Sequence, residues 1–152
     1  AALSPLPAAM AQSGPANPRA GEQRGGDPVA RAKAVAKLAD TQISQARKEL
    51  EAENYPGALR ILSDYRDEVK SAHAALKATG RDAERKPAGF KQLQIQVREC
   101  SRQLRQMILG IPVEERPPFE TIRKDLDEID NQLINELFPR QPGRKDDQKP
   151  KP

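Results

Sequence analysis

A chain of 152 residues with 36% hydrophobic and 3% aromatic content has room for one small domain with a modest core. Its formal charge of +4 leaves only +1 for residues 28–138, once +3 is assigned to residues 139–152 and zero to residues 1–27. Nucleic-acid binding concentrates basic charge on a structured face, so it is not expected here. A single cysteine excludes an intramolecular disulfide, a single histidine excludes a multi-histidine metal site, and no run of about 18 apolar residues is present to span a membrane.

The first eleven residues are small and apolar, and Ala9-Met10-Ala11 ahead of Gln12 fits an A-x-A cleavage pattern. Residues 1–11 therefore read as a signal-peptide remnant or, alternatively, as an Ala/Pro-rich disordered leader. An export signal without a retained anchor implies a secreted protein, periplasmic or extracellular. Residues 12–27 are rich in Gly, Pro, Gln and Ala without periodicity and read as a disordered linker.

Asp27-Pro28 has the form of a helix start, with Asp as N-cap and Pro in the first turn. The first helix is predicted from Pro28 to Glu53, with an Ala-rich buried side of Ala32, Ala36, Ala39, Ile43, Ala46 and Leu50, flanked by Val35 and Leu38. Asn54-Tyr55-Pro56-Gly57 breaks it and restarts a second helix, predicted from Pro56 to Thr79 and closed by Gly80. Its apolar residues Ala58, Leu62, Tyr65, Val69, Ala72 and Leu76 alternate spacings of three and four, which places them on one helical side. The third helix, Pro87 to Leu109, repeats the pattern with Phe90, Leu93, Val97, Cys100, Leu104 and Met107. After Gly110 and a connector, the fourth helix runs from Pro118 to Phe138 with Phe119, Ile122, Leu126, Ile129 and Leu133. Residues 139–152 read as a disordered basic tail.

Each apolar side must be buried against another helix, and short connections reverse the chain between helices. The expected fold is all-α: an up-down-up-down four-helix bundle over residues 28–138, with disordered N- and C-terminal tails. A longer α-hairpin repeat that pairs with a second copy is the rival architecture. The segment from Ala46 to Leu62 also resembles the turn and second helix of a tetratricopeptide repeat. That family sets a Tyr before its second helix, an Ala three residues later and a large apolar residue four beyond, as Tyr55, Ala58 and Leu62 do here. The resemblance covers roughly 30 residues and implies one helical hairpin of that style.

Chemistry-bearing residues are few. Cys100 falls on the inward side of the third helix, where a thiol packs as a small apolar group; exposure would instead open it to an intermolecular disulfide. His73 borders the apolar side of the second helix. The Cys-x-x-Cys-His haem attachment sequence, Glu-x-x-His, Gly-x-Ser-x-Gly and a phosphate-binding Gly-rich loop do not occur. No enzymatic activity and no cofactor are expected. Glu136 falls on the inward register of the fourth helix, at its last turn.

The one patterned surface is on the third helix, where Lys91, Arg98, Arg102 and Arg105 recur at spacings of seven, four and three. It reads either as a solvated face or as a docking stripe for an acidic partner, a protein or other envelope component, with Ile95, Leu109 and Ile111 forming an apolar patch beside it. The leading expectation is a non-catalytic secreted or periplasmic helical binding or scaffold module. A periplasmic holdase-type chaperone, which would shield unfolded clients, is the alternative.

Overall fold

The computed structural model describes residues 26–139. The signal-peptide remnant at 1–11, nearly all of the linker at 12–27 and the basic tail at 139–152, save Pro139, lie outside the described residues. Four α-helices make up the domain: α1 (Pro28–Glu51), α2 (Tyr55–Ala78), α3 (Phe90–Leu109) and α4 (Arg116–Leu137), with a 3-10 turn at Val113–Glu115 leading into α4. Among the described residues there is no strand.

Helix boundaries follow local chemistry. Asp27 Oδ1 accepts the Val29 amide at 3.1 Å and caps α1, with Pro28 in the first turn where no amide is needed. Asn54 caps α2 by accepting the Gly57 amide at 3.2 Å, and Glu49 holds the Asn54 side-chain amide at 2.6 Å. The third helix starts at Phe90, three residues later than the sequence reading placed it. Gly89 adopts φ +87°, which interrupts helical geometry, and its amide donates to Gln92 Oε1 at 2.7 Å. A Cβ at Gly89 would stand 3.2 Å from the Val29 Cα and 3.1 Å from Leu76 Cδ2, so the absence of a side chain lets the chain pass between α1 and α2.

The helices alternate in direction. Across α1 and α2, Arg31 meets Ser71 and Gln42 meets Glu68, so one number falls as the other rises. The same holds for α3 and α4, where Gln94 meets Asp130 and Arg105 meets Asp127. Between hairpins the sense is parallel. Asp40 meets Gln96 and Arg47 meets Gln103, both 56 residues apart, and Arg66 and His73 of α2 meet Asp125 and Glu136 of α4. Each hairpin thus lies beside the other in the same sense, α1 along α3 and α2 along α4, while α1 and α4 scarcely touch. The connection from α2 to α3 crosses the end of the bundle.

The core holds the expected residues. All six apolar positions of the α2 pattern are fully buried, as are those of α3 down to Leu104, and all five of α4 are buried. Met107 is only partly buried and Ile108 takes the core position beside it. Other apolar assignments change: Ala36, expected on the buried side of α1, is only half-buried and lines a surface groove. Leu38 faces outward at 55% exposure while Val35 turns inward, and Ile111 is 2% exposed rather than part of a surface patch. The turn after Gly110 folds Ile111 under the end of α3: its amide donates to the Ile108 carbonyl at 3.0 Å, and its own carbonyl accepts Arg116 Nε at 2.7 Å.

Candidate docking surface

Helix α3 presents two contrasting sides, because its 3-4 pattern commits Phe90, Leu93, Val97, Cys100, Leu104 and Ile108 to the interior. The stripe residues Lys91, Arg98, Arg102 and Arg105 all stand on the exposed side. The three arginines are not free charges. Arg98 Nε lies 3.2 Å from Asp130 Oδ2, Arg102 Nη2 lies 2.6 Å from Glu99 Oε2, and Arg105 Nη2 lies 3.5 Å from Asp127 Oδ2. Glu99 is held below the ordinary carboxylate range by hydrogen bonds from Arg102 and Gln103. The more exposed Arg102–Glu99 and Arg105–Asp127 pairs contribute little to stability, but all three pairs offset the positive field of the stripe.

Two of those carboxylates anchor a polar seam between α3 and α4. Asp130, largely buried, accepts Gln94 Nε2 at 2.8 Å as well as Arg98, and Gln94 is itself buried. One turn away Asp127 accepts the buried Ser101 hydroxyl and Arg123 Nη1, the latter at 2.8 Å. A buried carboxylate is tolerated only when donors surround it, and Asp130 has two. Between α2 and α4, His73 Nε2 sits 2.9 Å from Glu136 Oε1, and Arg66 Nη1 sits 3.1 Å from Asp125 Oδ2. His73 is buried, and its contact with Glu136 gives Nε2, one of its two ring nitrogens, a hydrogen-bond partner.

Beneath α3, Cys100 is fully buried and faces Tyr65 of α2, and Gln96 Nε2 approaches its sulfur at 3.9 Å. The Tyr65 hydroxyl is buried without a hydrogen-bond partner. Burial pushes both the Tyr65 phenol and the Cys100 thiol up, which keeps the thiol protonated and unreactive at neutral pH. Among the described residues no group of three or more His, Cys, Asp or Glu is placed to hold a metal ion. No described helix is long and apolar enough to cross a membrane.

A shallow groove runs between the parallel helices α1 and α3. Its first half is lined by Lys33, Ala36 and Lys37 of α1 and by Gln92, Ile95 and Gln96 of α3, with a volume of about 500 Å³. Its continuation, about 600 Å³, passes Asp40, Glu99 and Gln103. Ile95, 54% exposed, is shared by both halves. The sequence reading singled out Ile95 and Lys91 but not Lys33 and Lys37, because nothing in one helix's periodicity says which other helix lies alongside it. His73 with Glu136 and Gln94 with Asp130 escaped it for the same reason. Comparisons with models of protein families, with curated proteins and with solved structures return no match.

Proposed function

We propose that this chain is a non-catalytic helical binding or scaffold module of the periplasm or the extracellular space, and that it docks a protein or other envelope component through the outer side of α3. The observation that carries the reading is the juxtaposition on that side of a cationic row, Lys91, Arg98, Arg102 and Arg105, with the exposed apolar side chain of Ile95. Charge next to an uncovered hydrophobe combines steering with desolvation, the two ingredients of a docking surface. The buried histidine and cysteine are satisfied or shielded inside the bundle, which fits a structural role for both. The A-x-A pattern at residues 9–11 supports the assignment to an exported protein.

The tetratricopeptide resemblance of the α1–α2 hairpin is part of this proposal, and burial is what supports it. Ala58 and Leu62 are buried in the core and Tyr55 packs against it at the turn. Helix pairs laid side by side in the same sense, as α1–α2 and α3–α4 are, also occur in α-solenoids, which supports reading the domain as two stacked hairpins.

Reversing charge at Lys91, Arg98, Arg102 and Arg105 together tests the docking reading. Affinity capture from an envelope fraction, compared between wild type and the quadruple variant at matched helicity, is expected to lose its specific partner. Unchanged capture would reduce the row to a wetted surface. Among the described residues five large apolar side chains stand exposed, Leu38, Ile95, Leu109, Val113 and Phe138, and they are what would favour the holdase alternative. Suppression of citrate synthase aggregation at stoichiometric ratio would replace the docking reading with that one.

A further inference from the structure

We infer that the first half of the α1–α3 groove is the binding site for an acidic amphipathic segment of a partner protein, its carboxylates lying over Lys33, Lys37 and Lys91 and one apolar side chain lying on Ile95. The inference rests on the binding-module reading above and specifies which part of the surface acts and what it takes. Lys33 and Lys37 are one turn apart on α1 and both line the cleft with Ile95. With α1 and α3 parallel and 56 residues out of step, Lys91 falls between them in height on the neighbouring helix.

Charge separates this half of the groove from everything around it. Among the described residues none of the three lysines makes an ion pair, whereas Arg98, Arg102 and Arg105 each do. No carboxylate lines the first half. Asp40 marks its limit, where its carboxylate accepts Gln96 Nε2 at 3.1 Å and the groove continues past Glu99. Both helices also begin at the lysine end, so the positive ends of two backbone dipoles point the same way there. The small Ala36 and the neutral Gln92 and Gln96 complete the lining, leaving Ile95 as the one large apolar contact in the cleft. A segment with carboxylates at one-turn spacing and an apolar residue on the same face answers this arrangement, as amphipathic helices do when they lie in a groove.

The test is a titration of the full chain with a fluorescently labelled amphipathic helical peptide carrying Glu at i, i+4 and Leu on the same face, read by anisotropy. Saturable binding is expected, weakened by about tenfold or more in the Lys33→Glu/Lys37→Glu double variant and to a similar degree in Ile95→Asp, and changed less than about twofold in Lys124→Glu on the exposed side of α4, outside both the groove and the arginine row. Circular dichroism should show native helicity in each variant, since all four positions are exposed. Lys33→Gln/Lys37→Gln serves as the milder pair should charge reversal disturb α1. A peptide with Lys in place of Glu should not bind, and one with Ser in place of Leu should bind more weakly.

Absence of saturable binding overturns the inference and leaves the capture experiment above to judge the broader reading. Loss of binding in Arg105→Glu with retention in the lysine variants also overturns it, moving the site to the arginine row. Equal binding of heparin and of the peptide, with Ile95→Asp silent, overturns it as well, since the groove would then be a generic anion surface.

Discussion

The two hairpins are held together by different means. In the first, α1 and α2 bury Ala32, Ala39, Ala46, Ala58 and Ala72, and their mutual packing is the most extensive in the bundle. In the second, α3 and α4 bury no alanine at all; Phe90, Leu93, Leu104, Phe119, Leu126 and Leu133 fill the interior, and Gln94, Ser101 and Asp130 form a polar seam beside them. Small side chains let two backbones approach closely but bury little area each. Large ones bury more and leave rotational freedom between helices, which directional hydrogen bonds then remove. The lesson is that one hairpin is specified by shape and the other by volume plus polar pairing.

That contrast can be broken experimentally. Leu126→Ala removes a fully buried side chain from the second hairpin and is expected to cost about 2–5 kcal/mol in denaturant unfolding, the largest single effect. Ala39→Leu inserts volume at a fully buried small-residue position of the first hairpin and is expected to cost about 1–3 kcal/mol through overpacking. If Ala39→Leu proved neutral or stabilising, close approach would not be what holds α1 to α2.

A smaller effect, of opposite sign, is expected where the hairpins meet. Tyr65→Phe deletes a buried hydroxyl that has no partner and is expected to stabilise by about 1 kcal/mol at neutral pH. It should also change the alkaline limb of the stability profile. Burial raises Tyr65 and Cys100 above their ordinary values of 10.0 and 9.0, so in that range the unfolded chain holds fewer protons than the folded one. Stability is therefore intact below about pH 9 and falls as pH rises beyond it. Tyr65→Phe should flatten that fall, measured as denaturation midpoint against pH; an unchanged slope would mean the phenol is not as shielded as its position implies.

Most of the fold was legible because burial within a helix is written in the spacing of its own residues. The buried faces of α2 and α4 follow directly from 3-4 alternation, and Asp27-Pro28 and Gly80 mark real ends. Ala-rich α1 was harder: Val35 and Leu38 flank its alanines on either side, and only the position of α2 decides that Val35 goes in and Leu38 stays out. Ile111 was misassigned because a residue past the end of a helix owes its burial to the turn, not to the helix period. The docking surface was legible in part. Lys91, Arg98, Arg102 and Arg105 do face outward together, but their partners Asp127 and Asp130 lie on α4, and the groove that brings Lys33 and Lys37 beside Ile95 depends on α1 running along α3. Such relations belong to helix rotation and neighbour choice, which no single-helix pattern encodes.

Gly89 has a bearing beyond the start of α3. With the backbone of Val29 on one side and Leu76 on the other, it is the rivet at which the second half of the molecule is fixed to the first. Adding a methyl group at position 89 would strain a backbone held at φ +87° and crowd the Val29 Cα at 3.2 Å, so that α1 would have to give way by a few tenths of an ångström there. The closeness of the two hairpins at this end of the bundle thus depends on the thickness of a bare backbone.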